Sequence, residues 1–302
     1  MLRPVSAPEV SIVIPAFNEE GAIAEEVAGV RRVMDATGWR YEVVVVDDGS
    51  TDKTGEIAGQ LPVRLFRSPQ NRGYGASLKR GIAEAQAPLV IITDADGTYP
   101  PEELPRLLER AQEFDMVVGA RTGEDVSVPQ LRRPARWFLR TLAGFLAGQK
   151  IPDLNSGMRL MRRDHVMSYA RILPSGFSFT TTITLALVCN EFRVGYVPIN
   201  YRKRIGSSKI RPIHAYHFLI LILRAIVLFN PLKVFLPTGA LLFLLGFSKF
   251  VFDMCYKQKI SESAVIGFLG AILIWAFGLL ADQNSRLGLG RSTWGHTEGG
   301  DK

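Results

Sequence analysis

Asp94 and Asp96, one residue apart in the run TDADG, are the residues of this chain whose type and spacing point most directly to chemistry. They follow the apolar run Leu89–Thr93, where a strand would end. Paired carboxylates there make a hard, oxygen-rich site for Mg²⁺ or Mn²⁺, able to bridge a diphosphate and neutralise a departing one. A bare D-x-D also arises in surface turns, so its neighbours matter. The run VVVVDDGS ends a second strand at Asp47 and Asp48, and Asp48 can accept hydrogen bonds from a nucleobase or ribose. The other reading of Asp-Gly-Ser-Thr-Asp is a helix cap followed by a turn. A third group, Phe17-Asn18-Glu19, follows the run Val10–Ala16.

These groups act together only if their strands lie side by side. Val10–Ala16, Tyr41–Asp47, Val63–Phe66, Leu89–Thr93 and Met116–Gly119 are short, rich in Val and Ile and bounded by turn residues, which predicts buried strands. Amphipathic stretches near Glu19–Met34, Lys53–Gly59, Gly73–Ala85 and Pro101–Gln112 predict helices between them, the last opened by a proline and two glutamates. Alternating β and α elements predict an α/β fold, a Rossmann-like, mostly parallel sheet flanked by helices. Such sheets bind ligands beyond the carboxyl ends of their strands, which puts all three groups on one rim. Gly73-Tyr74-Gly75 imitates a dinucleotide fingerprint without its third glycine, and reads as a tight turn into a helix.

Charge and hydropathy divide the 302 residues differently. Residues 1–199 hold 23 Lys and Arg against 24 Asp and Glu, whereas 200–302 hold 13 against 5, so the net charge of +7 belongs to the C-terminal third. Residues 200–234 carry seven basic groups and no acid, directly before long apolar runs. Nucleic acid is not expected beside such hydrophobicity; anionic lipid headgroups or lipid phosphates are the better partner. Residues 212–233, interrupted by Arg224 and Pro231, predict an amphipathic interfacial helix. Val234–Phe252, about 28 Å as a helix, predicts a first membrane span, in which Lys249 can snorkel. Ala264–Ala281 predicts a second, leaving 253–263 as an external loop and 282–302 as a polar tail. The basic flanks put the domain of residues 1–211 and the C-terminus in the cytoplasm. Met1–Val10 lacks the apolar run of a cleaved signal, and the two cysteines lack metal or disulfide spacing, which fits a reducing compartment. A homo-oligomer is left open.

The set PAFNEE (15–20), VVVVDDGSTDKT (43–54), NRGYGASLKRG (71–81), TDADGTYPPEEL (93–104), VVGAR (117–121) and DLNSGMRLMRR (153–163) resembles the family 2 glycosyltransferases of GT-A fold. More narrowly, it is similar to the polyprenyl-phosphate branch, the dolichol-phosphate mannose or glucose synthases, over roughly residues 9–211. The resemblance implies a membrane enzyme that moves a hexose from a UDP- or GDP-linked donor to polyprenyl phosphate. By resemblance Pro15, Phe17, Glu19, Asp48 and Asp94 contact the nucleotide, Asp94 and Asp96 serve metal and diphosphate, and Arg121 reaches phosphate. Thr98 stands where some relatives have Gln, and its hydroxyl can ligate metal or water.

Many family 2 enzymes that act on sugar hydroxyls carry a Glu-Asp general base late in the domain, yet Phe177–Ile183 (FSFTTTI) contains no acid. A lipid phosphate is already anionic near neutral pH, so the absence favours that acceptor. Asp153 either approaches the reaction as a catalytic carboxylate or makes an Asx turn through Gly157. For the acceptor phosphate, the segment Arg202–Arg211 contributes Arg204, Ser208 and Lys209 in an R-x-G-S-S-K arrangement that resembles the acceptor loop of this branch. A polybasic anchor is the alternative. Arg132, Arg133 and Arg136 form a further phosphate-binding candidate or a solvated helix face. His214 and His217 lack a third ligand and read as interfacial anchors. The rival functions are transfer to another lipid or glycan, and a non-catalytic nucleotide-sugar-binding membrane protein.

Overall fold

The run VSIVIPA is buried at every position and forms β1 (Val10–Ala16), as a central strand covered on both faces requires. In this computed structural model the chain is described over residues 7–122, 150–202, 231–256 and 258–293, with positions 141, 144, 145 and 148 besides. It forms two compact units, Met1–His214 and Ala215–Lys302.

In the first unit the strands after β1 are β2 (Tyr41–Asp47), β3 (Arg64–Arg67), β4 (Leu89–Ile92), β5 (Met116–Ala120), β6 (Arg159–Arg162) and β7 (Val194–Pro198). They form one sheet of order β3-β2-β1-β4-β6-β5-β7. β1 runs parallel to β2 and β4, β2 to β3, and β5 to β7. The mostly parallel sheet expected from the sequence is present, with one reversed strand: β6 is antiparallel to both β4 and β5. β6 and β7 escape the sequence pattern because RLMR is flanked by charge and VGYVP contains a glycine and a proline.

The helices are α1 (Ile23–Asp35), α2 (Thr54–Gly59), α3 (Tyr74–Glu84), α4 (Leu104–Leu108), α5 (Arg163–Ser168) and α6 (Phe179–Cys189). α1 buries Ile23, Val27, Val30 and Met34, a single apolar stripe at helical spacing, in the same core as Ile12 and Ile14 of β1. The helix expected over Pro101–Gln112 is shorter, a 3₁₀ turn at Pro101–Glu103 running into α4. α6 was hidden by its threonines, which are β-branched and favour strands. Burial on nearly all sides overrides that preference, and Thr182 and Thr184 give their hydroxyl protons to the carbonyls of Ser178 and Thr180.

Arg159 on β6 is fully buried. Its guanidinium donates to the carbonyls of Leu154 (2.7 Å), Ser156 (2.7 Å) and Thr180 (3.0 Å) and to the Thr184 hydroxyl (2.5 Å). One side chain thereby fastens α6 and the loop before β6 to the sheet. Burial works against its charge and lowers its pKa, while the Asp153 carboxylate counters that effect.

The second unit is a hairpin of α7 (Leu232–Tyr256) and α8 (Glu262–Thr293). Both helices are long and apolar enough to cross a membrane. Each exceeds its expected span, and α8 runs well into the segment read as a polar tail, since Gln, Asn, Ser and Arg continue a helix at small cost. Large apolar side chains such as Leu244, Phe247, Ile266 and Leu273 stay exposed, as a lipid-facing surface demands. The helices close on glycine: a Cβ on Gly267 would lie 2.8 Å from the Cα of Gly246. Trp275 Nε1 donates to the carbonyl of Leu236 (3.1 Å), and Lys249 is paired with Asp253 one turn away. Of the interfacial helix expected over 212–233, residues up to 230 lie outside the described residues, and Leu232 and Lys233 open α7.

Arg159→Met should leave several buried carbonyls unpaired, at about 1–3 kcal/mol each. Thermal unfolding in detergent should show an apparent Tm lower by roughly 5–10 °C. Arg162→Met on the same strand, at a half-exposed position, should change it little; equal losses in both variants would refute the clamp.

Candidate active site

Parallel register brings the rim together. Ala16 lies opposite Asp47, and Val13 opposite Ile92, so the loops after β1, β2 and β4 leave the sheet side by side. The first two interlock. Asn18, at a left-handed φ of 55°, accepts from Thr51 N (2.8 Å), and the Glu19 backbone N–H donates to the Thr54 hydroxyl (2.8 Å). Asp47 faces inward as a structural acid, accepting from Ser50 N (2.9 Å) and from Arg67 Nε (3.1 Å). Asp48 accepts from the backbone N–H groups of Arg72 (3.0 Å) and Gly73 (2.8 Å), which ties the β2 loop to the start of α3. The turn there needs glycine: Gly73 has φ +99°, and a Cβ on it would meet the Ser175 carbonyl at 2.6 Å.

These loops frame a cleft of about 300 Å³. Pro15, Phe17 and Glu19 line it from β1, Asp48 from β2, Asp94 and Asp96 from β4, and Asn71, Tyr74 and Phe177 close the other side. The structure therefore brings together every expected nucleotide residue and both members of the D-x-D. Tyr74 donates its phenol proton to Asp94 Oδ1 (2.8 Å) and stacks on Phe177, with ring centroids 5.6 Å apart. Burial pushes the Tyr74 phenol well above its ordinary pKa, with the Asp94 charge adding to the effect, so it stays a donor. On the other side of the carboxylate, a Cβ on Gly157 would lie 2.7 Å from Asp94 Oδ2. Asp96 accepts from both the hydroxyl (2.6 Å) and the backbone N–H (3.1 Å) of Thr98. Thr98 is wholly buried and directs its hydroxyl proton to that carboxylate, so its contact in this structure is with Asp96.

Arg121 and Asp153 form a bidentate pair, with Nε to Oδ2 at 2.8 Å and Nη2 to Oδ1 at 2.9 Å. Asp153 also accepts from the backbone N–H of Arg121 (3.1 Å) and of Asn155 (3.0 Å). Burial alone would raise the Asp153 carboxyl, but these hydrogen bonds and the Arg121 charge prevail and hold it below the usual range. The guanidinium lies over the Tyr201 ring at 5.4 Å, and Tyr201 meets Tyr99 edge-on at 5.1 Å. The Tyr99 hydroxyl accepts from Gly157 N (2.6 Å), which links the ion pair to the wall behind Asp94. Arg133, Arg136, Arg204, Ser208 and Lys209, the expected acceptor-phosphate groups, lie outside the described residues, as does Arg132.

Sequence reasoning missed four residues here. Tyr74, Gly157 and Phe177 become relevant only through tertiary proximity. Glu26 on α1 is the fourth, 4% exposed, with Oε1 lacking a hydrogen-bond partner. Burial, reinforced by the charges of Asp96 and Asp94, pushes it up to about 8, so it is protonated at neutral pH.

Two carboxylates at the mouth of a cleft are a donor set suited to Mg²⁺ or Mn²⁺, which take few protein ligands and complete their shell with substrate phosphate and water. Among the described residues no group of three or more acidic, His or Cys ligands is assembled, so phosphate oxygens would have to complete such a site.

A mostly parallel sheet with a cleft beyond the carboxyl ends of β1, β2 and β4 is an α/β architecture that binds ligands at that rim. The family description "Glycosyl transferase family 2" matches residues 11–169, and "GtrB C-terminal hairpin" matches 230–287. The chain belongs to glycosyl transferase family 2 and is a glycosyltransferase. It is 34% identical over 206 residues to a dolichyl-phosphate hexose transferase of Haloferax volcanii, covering 68% of this chain and 87% of that one. It is 30% identical over 251 residues to an undecaprenyl-phosphate 4-deoxy-4-formamido-L-arabinose transferase of Edwardsiella ictaluri, covering 79% and 74%. In fold it is similar to glucosyl-3-phosphoglycerate synthase from Mycobacterium tuberculosis, solved with Mn²⁺, uridine diphosphate and phosphoglyceric acid. That match has a TM-score of 0.58 at 20% identity and covers 72% of this chain and 78% of the other.

Gly157→Ala should push the Asp94 carboxylate out of place and lower turnover roughly 10- to 100-fold, the scale of an ångström's misplacement. Retained activity would show that Asp94 has room to move. Glu26 gives a pH signature. Between its ordinary 4.5 and about 8, the unfolded chain has released a proton that the folded chain keeps, so stability falls as pH rises through that window. Measured in chelator, the Tm advantage of Glu26→Gln over the parent should therefore grow from pH 5 to pH 8; a constant difference would refute the protonated buried acid.

Proposed function

We propose that this glycosyltransferase moves a hexose from a UDP- or GDP-linked donor to polyprenyl phosphate at the cytoplasmic face of the membrane, with inversion at C1. The observation that carries the choice of acceptor is the state of Asp153. With both oxygens engaged and its pKa held down, it is a poor general base. α6, where a base would otherwise be sought, opens with threonines, of which Thr181 donates to Asn155 Oδ1 (2.6 Å). An acceptor that arrives already ionised needs no base. The names of the polyprenyl-phosphate relatives and the C-terminal hairpin support the same choice.

In this mechanism Pro15, Phe17, Glu19 and Asp48 hold the nucleoside. Asp94 and Asp96, oriented by Tyr74 and Thr98, would hold Mg²⁺ or Mn²⁺ against the donor diphosphate. The metal supplies charge stabilisation for the leaving nucleoside diphosphate. A phosphate oxygen of the lipid attacks C1 while the bond from C1 to the diphosphate oxygen breaks, and this single in-line displacement inverts the centre. Asp153 positions Arg121, whose guanidinium has five N–H donors, two of them engaged by the pair, and so retains donors for phosphate. Arg204, Ser208 and Lys209, with Arg133 and Arg136, are proposed for the acceptor phosphate on sequence grounds alone. α7 and α8 anchor the chain, with both flanks cytoplasmic as their basic residues direct.

Membranes containing the protein, given radiolabelled UDP- and GDP-sugars with polyprenyl phosphate, should yield labelled lipid from at least one donor. EDTA should abolish transfer and Mg²⁺ or Mn²⁺ restore it, and Asp96→Asn should lose activity while keeping its Tm. Failure of every donor to label lipid would overturn the acceptor; full activity in chelator would overturn the metal. In a Cys255→Ser background, which removes the native exposed thiol of the external loop, a cysteine placed at Ser261 should react with an external, membrane-impermeant thiol reagent and one placed at Ser292 should not; labelling of both would overturn the topology.

A further inference from the structure

Phe177 stands out in the site by its exposure. It lines the same cleft as Asp94 and Asp96, yet it is 72% exposed. A single exposed phenylalanine on a loose loop would need no explanation. This loop is held fast. The Ser175 carbonyl accepts from Ala76 N (3.0 Å) at the first turn of α3, and Lys79 Nζ donates to the Leu173 carbonyl (3.0 Å) and to Ser175 Oγ (3.4 Å). Gly73 and Gly75 admit the loop so closely that a Cβ on either would strike its backbone. Phe179 N donates to the Gly176 carbonyl (3.3 Å) and leads into α6, the helix fastened by Arg159. Tyr74 takes one face of the ring, nearly parallel at 16°, and its hydroxyl rests on Asp94. The fold thus presents a rigid apolar ring to solvent, one residue removed from the carboxylate at the centre of the chemistry.

Such a surface asks for an apolar group that arrives with the substrates. Phenylalanine has no polar atom to pair with sugar hydroxyls, whereas a flat, methyl-branched alkene packs well on an aromatic face. On the acceptor reading given above, the first isoprenoid unit is bonded directly to the phosphate that must reach C1 beside Asp94. We propose that Phe177 is the landing surface for the phosphate-proximal isoprenoid units of the acceptor, and so selects a hydrocarbon-linked phosphate over a soluble phosphate ester.

The test uses the full chain in detergent, with a donor that the parent enzyme accepts and a four-isoprene polyprenyl phosphate as acceptor. Phe177→Ala should raise the acceptor KM roughly tenfold, as loss of most of an aromatic contact does. Its effect on the donor KM and on acceptor-independent donor hydrolysis should be clearly smaller than its effect on the acceptor KM. Phe177→Leu, which keeps an apolar surface, should recover most of the acceptor affinity, and this rescue separates contact from a general disturbance of the Tyr74 stack. An unchanged acceptor KM in Phe177→Ala would overturn the inference. So would a rise in donor KM that Leu does not rescue, since the ring would then belong to the donor or to the fold. If the parent enzyme labels no lipid at all, the acceptor reading itself fails; if it labels lipid and Phe177→Ala behaves as the parent, only this inference fails.

Discussion

A fully buried guanidinium has to find hydrogen-bond acceptors, and where it finds them decides the geometry of half the site. Arg159 gathers three carbonyls and one hydroxyl from α6 and the loop before β6. Desolvating that charge is costly, and among the described residues no carboxylate pairs with it directly; Asp153 compensates from a distance while it is itself bound to Arg121. The requirement runs both ways. The carbonyls of Leu154 and Ser156 are held by the arginine, so the loop between them and β6 has one shape, and that shape places Gly157 against Asp94 and Asp153 against Arg121.

The opposite wall obeys a complementary constraint, crowding of negative charge. Glu19, Asp48, Asp94 and Asp96 share the cleft, and a donor diphosphate would add more. The protein manages the excess in two ways that the structure displays. Backbone or hydroxyl donors point at the acids: Arg72 N and Gly73 N at Asp48, Tyr74 at Asp94, Thr98 at Asp96. Where burial is too deep for an ion, as at Glu26, the group keeps its proton. What remains is a pair of oriented carboxylates facing the cleft, a field that attracts a divalent cation and repels an uncompensated diphosphate.

How much of this was legible in the sequence depends on how local each signal is. β1, β2 and β5 were legible because a strand covered on both faces must be nearly all Val, Ile and small residues, and no helix of that length reads the same way. The rim acids followed at once, since parallel strands deliver their C-terminal residues to one edge. β6 was not legible: its inner residues Leu160 and Met161 are too few between arginines, and the decisive burial of Arg159 contradicts its type. α6 was obscured by threonine, whose strand preference yields to packing. Asp153 could be read two ways from sequence, because an Asx turn and a catalytic acid look alike there. The structure shows the turn's hydrogen bond, from Asn155 N, beside a pairing with Arg121, 32 residues away, that no local pattern announces. Tyr74, Phe177, Gly157 and Glu26 had no local signal, because their roles consist wholly of what lies beside them.

The hairpin is held by a different balance, since lipid offers no hydrophobic drive for one apolar helix to leave it for another. What favours closure is contact distance, and glycine sets it. With hydrogens in place of side chains at Gly246 and Gly267 the backbones meet, and Trp275 can reach the carbonyl of Leu236 across the same seam. The pairing of Lys249 with Asp253 has the same logic in electrostatic form. One helical turn apart, the two charges neutralise one another within α7. Among the described residues Trp275, Thr238 and Lys249 thus find partners within the hairpin while large apolar side chains stay exposed, the reverse of the sheet domain, where apolar strands are enclosed and the charged groups gather at the rim.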